Sequence, residues 1–167
     1  HISKSSYLCY ELYLSSMISP CLRWAGGKRW LIRYIDKLLP PNGFQNYHEP
    51  FLGGASMFLS IGLGHTAFLS DLNKDLIETY IAIRDIPNDI ISILSTYKNE
   101  KDFYYKIRSK QCKTEAEKAA RFIYLNQTSY NGIYRVNLKG EYNVPYGFRN
   151  KRILDEKAIL DVSRSLQ

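Results

Sequence analysis

The sequence predicts an α/β fold, and three observations carry that expectation. A short run closing at Glu49 leads into Pro50-Phe51-Leu52-Gly53-Gly54-Ala55-Ser56; a second apolar run, Thr66-Ala67-Phe68-Leu69, closes at Ser70-Asp71; and from Asn73 onward apolar residues recur at helical spacing. Pro50 cannot continue a strand ladder, and Gly53-Gly54 let the backbone turn tightly before Ser56-Met57-Phe58-Leu59 opens a helix. Small residues there leave room for a ligand against bare backbone. The second strand would hold the Asp71 carboxylate at its tip, about 20 residues past the turn, able to accept hydrogen bonds from a ribose diol. Turn and carboxylate together read as a nucleotide-type cofactor site; the competing reading is a glycine turn that serves packing alone.

Taken in order, the chain starts at His1, and Met17 is the first residue of what reads as natural sequence. Residues 1–16 are therefore expected to be an upstream or expression-derived extension, and Glu11 interrupts their faint likeness to a signal peptide. Next comes Leu22-Arg23-Trp24-Ala25-Gly26-Gly27-Lys28, leading into a helix with apolar positions at Leu31, Ile32, Ile35, Leu38 and Leu39 that Pro40-Pro41-Asn42-Gly43 ends. An indole, two glycines and a lysine at a helix start offer stacking, close backbone approach and a partner for carboxylate or phosphate. Singly, Trp24 reads as core and Lys28 as a solvated charge.

Asn73 is the expected N-cap of a helix over residues 73–85, followed by helices over 88–97 and 102–110. Thr114-Glu115-Ala116-Glu117 is a capping box opening a further helix through Ala120, Phe122, Ile123 and Leu125. After it, Ile133 to Leu138 and Glu141 to Val144 alternate as the strands of a hairpin joined at Lys139-Gly140, with Asn131-Gly132 as its entry turn. Tyrosines, amides and Arg135 crowd into that hairpin, followed by Arg149, Lys151 and Arg152. Such a ribbon has flat faces for stacking, donors for base edges and cations for phosphates; the plainer alternative is a tyrosine-rich edge hairpin packed on its own domain. A last helix is expected over residues 155–166.

Composition narrows the function classes. At 45% hydrophobic and 23% charged residues the 167-residue chain can build a core, which argues against extended disorder. The net charge of +7 is regional: Lys98 to Arg152 holds 13 basic and 5 acidic residues, so the remainder sums to −1. That block favours a phosphate-rich partner over a chance surplus of surface lysine. Cys9, Cys21 and Cys112 lack metal-ligand spacing and read as reduced thiols in a cytosolic protein, and no apolar run reaches the roughly 18 residues of a membrane span.

With Trp24-Ala25-Gly26-Gly27-Lys28, Glu49-Pro50-Phe51-Leu52-Gly53-Gly54, Ser70-Asp71-Leu72-Asn73 and Tyr130-Asn131-Gly132 through Asn143-Val144-Pro145-Tyr146-Gly147 in one order, the chain resembles the Dam-type DNA adenine-N6 methyltransferases from about Cys21 to Asn150. The resemblance implies a Rossmann-like α/β core binding S-adenosylmethionine, built from residues 17–86 and 153–167. A helical and β-hairpin region over 87–152 would be inserted to recognise DNA. It implies Trp24, Gly26 and Lys28 at the methionine end of the cofactor, Phe51 and Gly53 in the cofactor turn, and Asp71 on the ribose. It also implies DNA contacts from Tyr130, Asn131, Ile133, Arg135, Pro145 and Arg149, with Arg135 suited to bridge guanine O6 and N7. Double-stranded DNA is the implied partner, with a cognate restriction endonuclease acting on the same site, in a bacterial or phage-encoded cytoplasmic protein.

Three departures stand out. Ala55 replaces a third glycine, a change expected to narrow the turn only slightly; Phe148 follows Gly147 where arginine is common, with Arg149 one position later; and the family's catalytic Asp-Pro-Pro-Tyr occurs nowhere in the sequence. The expectation is therefore an incomplete core, truncated before the catalytic segment and inactive alone. A non-catalytic DNA-binding remnant is the alternative, and a nicotinamide-dependent oxidoreductase, which would leave Trp24 to Lys28 without a role, is a third.

Overall fold

The computed structural model describes residues 18–35, 37–148 and 152–167; the expected extension over 1–16, with Cys9, lies outside them. The chain is a mixed α/β structure whose described strands form one small parallel sheet. Strands β1 (Asn46–Glu49) and β2 (Thr66–Leu69) pair in register, Asn46 with Thr66 through Glu49 with Leu69. Both end where expected, so Glu49 and Ser70-Asp71 lie side by side at the carboxyl edge. Beyond that edge Ser70 N–H donates to Glu49 O and Leu52 N–H to Ser70 O, carrying the pairing into the turn.

Five helices follow. Helix α2 (Lys74–Asp85) opens on Asn73, whose side chain accepts from Leu76 N–H as an N-cap should. Pro87 starts α3 (Pro87–Ser95), where its missing N–H costs nothing. α4 (Lys101–Ser109) precedes α5 (Glu115–Thr128), and the expected capping box is complete, with Thr114 and Glu117 each satisfying the other's backbone N–H. α6 (Glu156–Ser165) is capped by Asp155, which accepts from Ala158 N–H.

α5 is the central pillar. Ala119, Ala120, Ile123, Tyr124 and Leu125 are all nearly inaccessible, and α2, α3 and α4 pack around them. One hydrophobic cluster joins Leu52, Ala55 and Phe58 beside the sheet to Leu76, Ile83, Ile90, Tyr104, Ile123 and Ile159 on five helices. Two of its fully buried tyrosines bond to backbone through their hydroxyls: Tyr104 Oη donates to Val144 O at 2.8 Å and Tyr124 Oη to Lys98 O at 2.8 Å. Those bonds fasten the irregular connections onto the helices.

Three expected elements differ. The helix after Lys28 shrinks to a 3₁₀ turn at Arg29–Leu31 and one helical turn, α1 (Ile32–Ile35). Ile32 and Ile35 are buried against Met57 and Leu31 and Leu39 are partly covered there, while Leu38 is 66% exposed and Lys28 supplies no side-chain cap. The helix expected from Ser56 is a π-helical turn at Phe58–Gly62. The hairpin is an irregular ribbon with isolated bridges at Ser129 to Tyr146 and Val136 to Tyr142. At its tip Asn137 Oδ1 accepts from both Lys139 N–H and Glu141 N–H, while Asn137 N–H donates to Glu141 O and Asn143 N–H to Arg135 O, so the two arms stay paired antiparallel around Val136 and Tyr142. At its base Gly147 lies so close to Ser129 that a Cβ there would sit 2.5 Å from Ser129 O.

Candidate functional site

At the carboxyl edge of the sheet, backbone and carboxylate are knitted together. Asp71 Oδ2 accepts from Gly53 N–H and Oδ1 from Asn73 N–H, both at 3.0 Å. Gly53 O in turn accepts from the buried Tyr80 hydroxyl at 3.0 Å. The turn is thus held from both sides, with Gly53 at φ +50 in the left-handed region. Each Asp71 oxygen has one protein donor, which leaves acceptor capacity for further hydroxyl groups. Phe51 projects from the same turn and is 76% exposed.

The reason for a glycine at 53 is the indole beside it. A Cβ there would lie 2.7 Å from Trp24 Cδ1, and one on Gly54 would lie 3.2 Å from Trp24 Cβ. Trp24 belongs to a cluster of three rings, at 6.5 Å from Phe122 and 6.2 Å from Tyr134 by centroid. The stacking surface expected of Trp24 is therefore shared with α5 and with the ribbon. Gly26 takes φ +77 in the exposed loop that follows, and Lys28 is exposed at its end.

Glu49 is the second acid at this edge. Its Oε2 accepts from the Tyr47 hydroxyl at 2.8 Å and from Phe58 N–H at 3.0 Å. Burial nevertheless holds the carboxyl above the usual carboxylate range, and those hydrogen bonds and the nearby Lys28 charge offset it only in part. Ala55 corrects an expectation. It does more than narrow the turn slightly: it sits at φ +57, where a side chain costs about 1–2 kcal/mol that glycine would not. Burial pushes the Cys21 thiol up to about 12, consistent with an unreactive reduced residue.

The expected DNA-contacting residues gather on the ribbon. Tyr130 N–H donates to Pro145 O at 2.9 Å, which brings Tyr130 and Pro145 together across its base. Asn131 adopts φ +54, a conformation asparagine tolerates, and both Tyr130 and Asn131 are exposed. Arg135 is exposed, and its Nε donates to Asn143 Oδ1 at 2.7 Å, aiming the guanidinium along the ribbon. Ile133 faces inward instead, onto a cleft of about 750 Å³ that also takes in Asp75, Arg121 and Tyr134. Arg149 lies outside the described residues. Of the expected DNA-contacting residues the cleft takes in only Ile133, and it includes none of Lys28, Phe51, Gly53 and Asp71, so it joins neither set to the other.

What joins them is a residue the sequence reading passed over. Asn126 is 4% exposed near the end of α5. Its Oδ1 accepts from Arg23 N–H at 2.8 Å, while Nδ2 donates to Arg23 O at 2.6 Å and Gly132 O at 3.4 Å. One amide thus clamps the segment before Trp24 and the Asn131-Gly132 turn onto the same helix. The available signal was Asn126-Gln127-Thr128, a polar run that directly follows the apolar Phe122-Ile123-Tyr124-Leu125.

Among the described residues there is no group of acidic, histidine or cysteine side chains placed to hold a metal ion, and no helix is long and apolar enough to cross a membrane. Comparison with known proteins bears directly on this arrangement. A type II methyltransferase, M.MjaIII of Methanocaldococcus jannaschii, is 36% identical over 90% of this chain and 60% of its own length. Type II methyltransferase M1.LlaDCHI of Lactococcus lactis subsp. cremoris is 35% identical over 89% of this chain and 55% of its own length. A DNA adenine methylase of Salmonella typhi is 36% identical over 78% and 48% respectively. The chain spans about half the length of these curated relatives. The family model described as D12 class N6 adenine-specific DNA methyltransferase matches residues 24–167, from the Trp24 loop through the Gly53 turn, Asp71 and the ribbon to the end of α6. This chain belongs to that family.

Proposed function

We propose that this chain carries the cofactor-binding and DNA-reading parts of an adenine-N6 DNA methyltransferase acting on double-stranded DNA with S-adenosylmethionine as donor. The single observation that carries the reading is the Gly53 turn hydrogen-bonded to Asp71, lying within the family match and beside the Trp24 indole. The finer architecture proposed with it is a Rossmann-like core, residues 17–86 and 153–167, with 87–152 as an inserted recognition region.

The donor set fits such a cofactor. Asp71 has lone pairs left for a ribose diol, Gly53 and Gly26 offer bare backbone, and Trp24 and Phe51 offer apolar faces. Lys28, with Glu49 nearby, supplies charges of both signs for the carboxylate and ammonium of a methionine end. When bound, the cofactor supplies an electrophilic sulfonium methyl. The chain's own residues orient it and exclude water from the buried side of the turn. On the other substrate, Tyr130 presents a ring, Asn131 and Pro145 shape the approach, and Arg135 offers paired donors for a guanine edge. Arg149, which follows the ribbon in the sequence, is proposed as a further cation for DNA phosphate. Adenine N6 is a poor nucleophile until its hydrogens are accepted by a carboxylate and a carbonyl, and the Asp-Pro-Pro-Tyr that serves this in the family is not in the sequence. A restriction endonuclease acting on the same site is the proposed biological companion, in keeping with the type II names of two relatives.

Calorimetric titration with S-adenosylmethionine tests the reading. Binding is expected, and Asp71→Ala should weaken it roughly 10- to 100-fold, the worth of hydrogen bonds to a charged acceptor. A folded chain with no measurable binding overturns the cofactor assignment and leaves the DNA-binding remnant standing. For the ribbon, Arg135→Ala is expected to weaken duplex binding by about 1–3 kcal/mol and to relax sequence preference at one base pair. Uniform weakening across all sequences, with a shallower salt dependence, would instead make Arg135 a phosphate contact.

A further inference from the structure

Tyr134 stands between Ile133 and Arg135, yet it serves neither the ribbon's surface nor the hydrophobic core alone. Its hydroxyl donates to Asp75 Oδ2 at 2.6 Å. Asp75 lies in the first turn of α2, whose cap, Asn73, donates its N–H to Asp71. Its ring lies nearly parallel to the Trp24 indole, at an interplanar angle of 23°. That indole is the group a Cβ on Gly53 would strike. Tyr134 therefore reaches the first turn of the helix that follows Asp71 with its hydroxyl, and the indole packed against Gly53 with its ring. The neighbouring Arg135 faces outward from the same ribbon.

We propose that Tyr134 is the positioning residue through which DNA on the ribbon and a cofactor at the Gly53 turn bias one another's binding. The inference rests on the reading under Proposed function. A duplex that draws the exposed Arg135 pulls on the adjoining Tyr134, and a shift of Tyr134 strains its contacts with Asp75 and Trp24. Either shift changes the geometry of the groups that hold the cofactor. Linkage requires the reverse effect to be equal. Adjacency alone does not establish such a coupling; a measured coupling free energy does.

The test is titration of the full chain with S-adenosylhomocysteine, which has no methyl to transfer, with and without a saturating mixed-sequence DNA duplex. The wild-type affinity ratio is expected to fall in the usual range for coupled sites, about 5- to 150-fold. Tyr134→Phe keeps the ring and removes only the hydroxyl; because Asp75 is exposed, water replaces it there. The variant should bind each ligand alone within about twofold of wild type while the ratio falls several-fold towards one. Asp75→Ala should do the same, and the double variant should fall no further. A wild-type ratio of one overturns the proposal and leaves the functional reading intact. So does a ratio unchanged by Tyr134→Phe, including the case where both affinities drop together, which marks a purely structural contact. Absence of binding to either ligand alone overturns both.

Discussion

Gly53→Ala is expected to destabilise the protein by about 2–4 kcal/mol and to abolish cofactor binding with it. Two independent costs add. The residue sits at φ +50, where any Cβ is strained, and that Cβ would lie 2.7 Å from Trp24 Cδ1. The indole cannot swing aside, because Phe122 and Tyr134 pack against it and the Phe122 ring is buried in the helical core. The turn must move instead, and its hydrogen bonds to Asp71 and Tyr80 go with it. For a chain of this length the cost corresponds to a fall of about 2–4 °C in Tm for each kcal/mol. A double-mutant cycle separates the two terms. In a Trp24→Ala background the clash is gone, so Gly53→Ala should cost only the backbone strain of about 1–2 kcal/mol. Equal costs in the two backgrounds would show that the indole does not explain the glycine.

How much of this was legible in the sequence follows from where the information is local. The ends of β1 and β2 were readable because Pro50 and Ser70-Asp71 forbid or punctuate a strand at the residue concerned. The caps at Asn73 and Thr114 were readable because a side chain satisfies a backbone group three residues away. The turn at Gly53 and the acid at Asp71 were readable as a pair; that the two hydrogen-bond each other was not. The helix after Lys28 had a sound apolar pattern and failed because a pattern does not guarantee a surface to bury it against: Ile32 and Ile35 meet Met57, and Leu38 meets water. The expected hairpin does pair antiparallel, at Val136 and Tyr142, but the pairing stays short: at its tip the Asn137 side chain, not the ladder, takes the Glu141 N–H. Tyr134 and Asn126 were invisible for a different reason. The partners that give them their roles include Asp75, Trp24 and Arg23, each more than fifty residues away in the chain.

Asn126→Ala is the substitution from which the largest joint loss is expected. The amide is buried, and its three hydrogen bonds all go to backbone groups: Arg23 N–H, Arg23 O and Gly132 O. Truncation removes the partner of each while leaving those groups in place, at a cost of about 2–4 kcal/mol. The consequence reaches further than stability. Arg23 precedes Trp24, which backs the proposed cofactor turn, and Gly132 closes the Tyr130–Gly132 turn, whose exposed residues face the proposed DNA side. Both affinities should therefore fall in the same variant, although Asn126 touches neither the turn nor an exposed contact residue. Asn126→Leu keeps the volume and removes the polar atoms, so it distinguishes hydrogen bonding from packing. If the clamp is polar, the leucine variant unfolds at least as readily as the alanine one, because the bulk that remains also excludes water from the orphaned Arg23 groups. Thermal unfolding followed by circular dichroism, with both titrations on the surviving variants, decides the matter. A leucine variant as stable as the wild type and binding both ligands would assign the joining of the two regions to the surrounding apolar packing of α5.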